Sequence, residues 1–296
     1  MKGRARDRLV YLRSHPVLFA LLAATRRWPV LRLGRTLLIH DRAAYEAALT
    51  GLELDRTAAG TTGGAVAGLA GDGLLFDQHG AEHRRTRRST ADLLGAGALV
   101  RLGPLWTDML SGRLAPLAAG HEVDLVPLAA DLAGATAAAL LANGSDAGKP
   151  PRRRDLEARE LAVAALAAAA AAARVHLPGP TRIRTGRAAE EAAGRLTRLI
   201  APDGGERAGL DTMLAVAAIN TTVAALPRAA AWAADDALWD HAPEALADEL
   251  LRVVAPTPLL PRVAAQDGEV GGCPVRSGDR LLLIARHAVN AHRDDP

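Results

Sequence analysis

DELLRVVAPTPLLPRVA, residues 248–264, is the stretch from which the fold is read. Glu249 and Arg252 stand three apart, so on a helix they share a face and can pair. A pair of that kind in open water contributes little. Here it borders an apolar run and is followed at once by Pro256, Pro258 and Arg262, a setting for a buried arginine held by its partner. The prolines end the helix. Beyond them the pattern changes to short β-type runs: PRVAAQ at 261–266, GEVGG at 268–272 and DRLLLIARHAV at 279–289.

Upstream, residues 210–234 are almost uncharged and apolar on all sides, which predicts a central helix. Within it, in MLAVAAINTTVAAL at 213–226, the polar group is Asn220, Thr221 and Thr222, just before Pro227, whose missing donor predicts a kink. Threonines in a buried helix often bond the preceding turn; grouped beside a kink they can also line a cavity. Residues 154–175 read as an alanine-driven helix stopped at Pro178-Gly179-Pro180, with a second helix over 185–200. Residues 123–141 read as an apolar helix, and 143–151 as a polar linker. Residues 79–94 have helical spacing and a dense basic face, where His83 and Arg87 lie four apart among Arg84, Arg85 and Arg88. That face suits a carboxylate, a propionate or a phosphate; standing alone it would equally be a solvated basic helix. Residues 57–73 read as a Gly- and Ala-rich loop. Earlier still, PVLRLG and RTLLIH form a hairpin about Gly34, and Asp41 caps a helix through Leu49.

Composition narrows what such a chain can do. Of 296 residues, 49% are apolar and 23% charged, enough to bury a large core and to exclude disorder as the main state. Cys273 is the only cysteine, which excludes a disulfide framework and a multi-cysteine zinc or iron–sulfur site. Four Trp, two Tyr and two Phe are too few for a surface that stacks single-stranded bases. The net charge of +3 comes with scattered arginines (Lys2 and Lys149 are the only lysines), which argues against a nucleic-acid partner. Residues 161–173 are too short and too alanine-rich to span a membrane. Arg4, Arg6 and Arg8 precede an apolar run at 16–24 of signal-peptide length, but Arg13 interrupts and Arg26-Arg27 follow at once. The expectation is a cytoplasmic protein with no membrane span.

In their order and spacing these segments resemble the cytochrome P450 family, the haem-thiolate monooxygenases, over nearly the whole chain. GAEHRRTRR resembles the C helix whose His and Arg bind haem propionates, at His83 and Arg87. AAINTT resembles the I-helix oxygen-activation motif Ala-Gly-x-Asp/Glu-Thr, and DELLR matches Glu-x-x-Arg at Glu249 and Arg252. The strands and turn at 259–296 follow, with Arg262 at a propionate-binding position. The resemblance implies a mainly α fold with small β-sheets in a single domain over 1–296. It implies catalytic positions at Asn220, Thr221 and Thr222, and a structural ion pair at Glu249 and Arg252.

The sequence also departs from that pattern. The family's iron ligand is a cysteine in a Phe-Gly-x-Gly-x-x-x-Cys loop after the NRDP turn, and the sequence given stops at that turn. The expectation is therefore a P450-like fold lacking the Cys-ligand loop and the C-terminal helix, with no thiolate-ligated haem. Cys273 stands in GGCPVRSG, where the family does not ligate iron. Without the thiolate, the electronic push that cleaves O–O is lost. Asn220 occupies the acid's place and Ala218 the glycine's; an amide cannot deliver protons as a carboxyl can.

The leading expectation is a haem-independent protein of bacterial specialised metabolism that takes a hydrophobic small molecule. It would act as a non-oxidative enzyme or as an auxiliary partner, since haem-less relatives activate glycosyltransferases. A second reading is a terpene synthase-like lyase acting on an isoprenoid diphosphate. There DDALWD would supply Asp235, Asp236 and Asp240 to Mg²⁺ and His83 and Arg87 would hold the diphosphate. Against it, the same acids can cap a helix, and few aromatics are present to steady carbocations. A third is an inactive fragment of an ordinary monooxygenase; the double change at Ala218 and Asn220 favours the first.

Overall fold

Gly34 lets the chain reverse between two short apolar strands, β1 (Val30–Leu33) and β2 (Thr36–Ile39), at a φ of +60° that a residue without Cβ adopts freely. The hairpin expected at 29–40 is thus present, in antiparallel register from Val30↔Ile39 to Leu33↔Thr36. The computed structural model describes residues 2–55, 57–58, 61, 78, 80–93, 95–141, 151–175, 182–202, 204–205 and 207–289. The expected loop at 57–73, the linker at 143–150, the Pro178–Pro180 stop and residues 290–296 fall mostly or wholly outside them.

The chain's internal contacts divide it into two compact units, Met1–Thr62 with Ala224–Pro296, and Gly63–Val223. The first unit holds the sheets. Helices α1 (Lys2–Ser14) and α2 (Pro16–Thr25) precede the hairpin, and α3 (Arg42–Gly51) follows it. Asp41 caps α3 by accepting from the Ala44 N–H at 3.0 Å, as its sequence position predicts. Then come β3 (Leu54–Asp55) and, after the second unit, α10 (Pro243–Val254), β4 (Leu260–Ala264), β5 (Gly268–Val270), β6 (Cys273–Val275), β7 (Arg280–Leu283) and α11 (Ala285–Ala288). The main sheet has five strands in the order β1-β2-β7-β4-β3, with only β2 and β7 parallel, and β5–β6 is a separate hairpin. Leu37, Ile39, Leu281 and Leu283 are fully buried behind this sheet, beside Ala44 and Ala48 of α3. DRLLLIARHAV, expected as one strand, divides at Ile284 into β7 and α11.

The second unit is helical: α4 (Gly80–Leu93), α5 (Ala96–Ala118), α6 (Leu125–Leu141), α7 (Pro151–Val175), α8 (Arg182–Ile200) and the first part of α9 (Ala208–Asp235). Its core is made of small side chains. Ala158, Leu161, Ala162, Ala165 and Ala168 repeat at three and four residues along α7 and are buried, beside Ala133 and Ala137 of α6, Leu196 of α8 and Ile219 of α9. Gly134 shows why: a Cβ there would sit 2.2 Å from the Ala158 carbonyl oxygen, so α6 and α7 meet backbone to backbone.

Helix α9 departs from the expectation of a central helix. Only 28% of its most apolar stretch is buried, and among the described residues it is the one helix long and apolar enough, by length and composition alone, to cross a membrane. Alanine explains the difference, because a surface alanine leaves little apolar area in water. The helix continues unbroken through Pro227 to Asp235.

Candidate functional site

A cavity of about 320 Å³ lies within the helical unit. Helix α9 gives it Leu214, Ala218 and Thr221, α6 gives Ala137, Leu140 and Leu141, and Thr90 of α4 completes the lining. Both hydroxyls turn back onto their own helices: Thr90 Oγ1 donates to the Thr86 carbonyl at 2.9 Å and Thr221 Oγ1 to that of Ala217 at 2.7 Å. The wall therefore presents methyl and methylene groups. Such a surface rewards an apolar ligand at about 25 cal/mol per Å² buried and gives no fixed donor to a polar one.

Of the three polar residues expected to form a catalytic group on α9, Thr221 alone lines this cavity. Successive helical residues point about 100° apart, and Asn220 is exposed while Thr222 is half-buried outside the lining. Thr221 thus reaches the cavity with its proton engaged by its own helix. On α4, His83, Arg87 and Thr90 follow at four and three residues, so one stripe of the helix carries half-buried His83, exposed Arg87 and cavity-lining Thr90.

The remaining expected residues lie in the first unit. Glu249 and Arg252 pair doubly, Nε to Oε2 at 2.7 Å and Nη2 to Oε1 at 2.5 Å, and Arg252 Nη1 reaches the Val289 carbonyl at 2.6 Å. Their side chains are 56% and 40% exposed, so the buried arginine expected here is a surface clamp instead. The hydrogen bond from Arg252 holds the Glu249 carboxyl below the usual range. Arg262 on β4 is half-buried and donates Nη1 to the Pro261 carbonyl at 2.9 Å, with Tyr45 nearby. Burial pushes the Tyr45 phenol upward, and the Arg262 charge opposes it.

Among the described residues, Asp235, Asp236 and Asp240 are not grouped as three side chains around one point. Helix α9 ends at Asp235 and Ala237 takes a φ of +53°, so Asp236 and Asp240 are not one helical turn apart. Asp235 pairs with Arg6 at 2.9 Å, and Asp236 Oδ1 accepts from the N–H groups of Lys2 and Gly3 at 2.8 and 3.3 Å. Among the described residues no three His, Cys, Asp or Glu side chains are placed to share a metal ion. Asp235 and Asp236 hold α1 to the end of α9. Cys273 opens β6 as a half-buried free thiol with its sulfur 3.8 Å from the Pro274 carbonyl oxygen.

Two buried clusters in the first unit escaped the sequence reading. Asp7 is 4% exposed; Arg228 Nε donates to its Oδ1 at 2.8 Å and Arg286 Nη1 to its Oδ2 at 2.6 Å. Tyr11 lies under both guanidiniums at 4.5 and 4.1 Å, and its hydroxyl meets the Val254 and Ala255 carbonyls at 2.9 Å. The sequence signal for this cluster is Asp7 itself, the only acid before residue 41. The second cluster joins His40 and His287, Nδ1 to Nδ1 at 2.7 Å. Thr25 donates its proton to the Leu21 carbonyl at 2.8 Å, so its oxygen accepts from His40 Nε2 at 3.2 Å. His40 Nδ1 is then the acceptor and His287 Nδ1–H the donor. Burial, with Arg26 adding repulsion, lowers His40 to about 4; burial, then His40, Arg26 and Arg286, lowers His287 to about 3.

The chain has a cytochrome P450-like fold. The open cytochrome P450 EryK from S. erythraea matches at a TM-score of 0.66 with 20% identity, over 95% of this chain and 77% of that one. OxyA from Actinoplanes teichomyceticus matches at 0.65 with 20% identity, over 94% and 76%. HmtN, a post-tailoring hydroxylase involved in himastatin biosynthesis, matches at 0.62 with 17% identity, over 95% and 77%. No family profile and no curated protein sequence matches the chain.

Proposed function

We propose that this chain uses its P450-like fold to bind a hydrophobic small molecule of bacterial specialised metabolism in the α4–α6–α9 cavity, without thiolate-haem oxidation. Its role is that of a non-oxidative enzyme or of an auxiliary partner to a neighbouring enzyme such as a glycosyltransferase. One observation carries the reading. At the cavity wall, Ala218 places a methyl where the family resemblance has glycine, Thr221 has its proton engaged by Ala217, and Asn220 faces away. An amide has no dissociable proton near neutral pH, and a hydroxyl already donating to its own helix holds none ready for transfer. What this wall offers is an apolar surface to hydrocarbon. The involvement of HmtN in himastatin biosynthesis supports the metabolic setting.

The experiment is titration of the purified protein with the neutral apolar fluorophore N-phenyl-1-naphthylamine. Saturable binding is expected, weakened at least about tenfold in Ala218→Phe, which fills the cavity. Unchanged affinity in that variant, with its melting temperature intact, would remove the cavity from the account. Co-purification with a glycosyltransferase encoded nearby would assign the auxiliary role.

A further inference from the structure

We propose that the outer face of α2 is a contact surface for an anionic phospholipid bilayer. Helix α2 reads PVLFALLAAT, without a charged residue, and the fold buries only one side of it. Leu22 is 1% exposed and packs with Leu38 and Ile284, and Thr25 is buried beside it. On the other side Val17, Ala20, Leu21 and Ala24 follow at three and four residues and are all exposed, Val17 at 83% and Leu21 at 44%. This is an apolar stripe about 10 Å long, left in water by a helix otherwise packed into the core.

Its borders indicate what covers it. Arg13 precedes the stripe and Arg27 follows it, both exposed. The Arg27 guanidinium lies 3.9 Å over the ring of Trp28, itself 38% exposed. Asp7, the only acid among residues 1–40, is buried between Arg228 and Arg286. An apolar stripe bounded by arginines and a tryptophan matches the boundary between acyl chains and anionic headgroups. A second copy would bring the same cations face to face, which opposes pairing. At ten residues α2 lies on a bilayer and does not cross it.

The test is co-sedimentation of the full chain with vesicles of phosphatidylcholine alone and of phosphatidylcholine with phosphatidylglycerol, at low and high salt. Retention on the anionic vesicles is expected to exceed that on the neutral ones at least about fivefold and to fall as salt rises. Val17→Asp/Leu21→Asp abolishes it with circular dichroism and melting temperature unchanged. Arg13→Glu/Arg27→Glu, which leaves the apolar stripe untouched, reduces it as well. Equal retention on both vesicles, or none on either, overturns the proposal. So does a concentration-dependent dimer that Val17→Asp/Leu21→Asp dissolves, because that result gives the face to a second copy.

Discussion

The α9 cavity of the helical unit and the Asp7 cluster of the sheet-bearing unit are built in opposite ways. Around the α9 cavity, alanine and leucine leave about 320 Å³ of apolar space, and the two hydroxyls that reach it bond their own helices. In the other unit the interior holds full charges, with Asp7 accepting from Arg228 and Arg286 over the ring of Tyr11. An apolar wall tolerates small losses and adapts to what it encloses. A buried ion cluster fixes one arrangement and fails sharply when a partner is removed. The part suited to binding is therefore the soft one, and the part that locks α1, α9, α10 and α11 together is the rigid one.

Asp7→Ala tests that contrast with the largest effect. It leaves two buried guanidiniums without their carboxylate and should cost about 3–5 kcal/mol in urea unfolding. A loss under about 1 kcal/mol would mean that water reaches the cluster and that its rigidity is overstated. Gly134→Ala comes next. Its Cβ would press on the Ala158 carbonyl, so α6 and α7 must separate, at about 1–3 kcal/mol. If the melting temperature holds, the helical unit is softer still.

The histidine pair gives a pH-dependent effect confined to the rigid unit. In the unfolded chain both imidazoles titrate near 6.5, whereas the fold holds them near 4 and 3. Between those values the unfolded state binds more protons, so stability is full above about 6.5 and declines as the pH falls toward 4. His287→Gln should flatten this decline in thermal melts, and an unchanged slope would assign it to other groups. Smallest of all, Glu249→Gln on the exposed clamp should cost within about 1 kcal/mol and fade with salt.

Local spacing made much of the fold legible. Glu249 and Arg252 are three apart, Asp41 stands at the mouth of α3, and Gly34 sits in the hairpin, so each could be placed from its neighbours alone. The polar group on α9 pointed to the cavity-lining helix, but not to which side chain faces inward, because Asn220 and Thr222 fall about 100° to either side of Thr221. The spacing of Asp235, Asp236 and Asp240 assumes a continuing helix, whereas the helix ends at Asp235 and Ala237 turns left-handed. The Asp7 cluster was out of reach for a different reason. Asp7 and Arg286 are 279 residues apart, and no periodicity links them.

The proposal of apolar-ligand binding without thiolate-haem oxidation is tested most directly by carbon monoxide difference spectroscopy of the purified chain, incubated with hemin and reduced. The account predicts no absorption band of a thiolate-bound carbonyl haem, while the neutral fluorophore still binds. An intact thiolate band, with oxidation of a bound hydrophobic substrate, would contradict it and return the protein to ordinary monooxygenase chemistry.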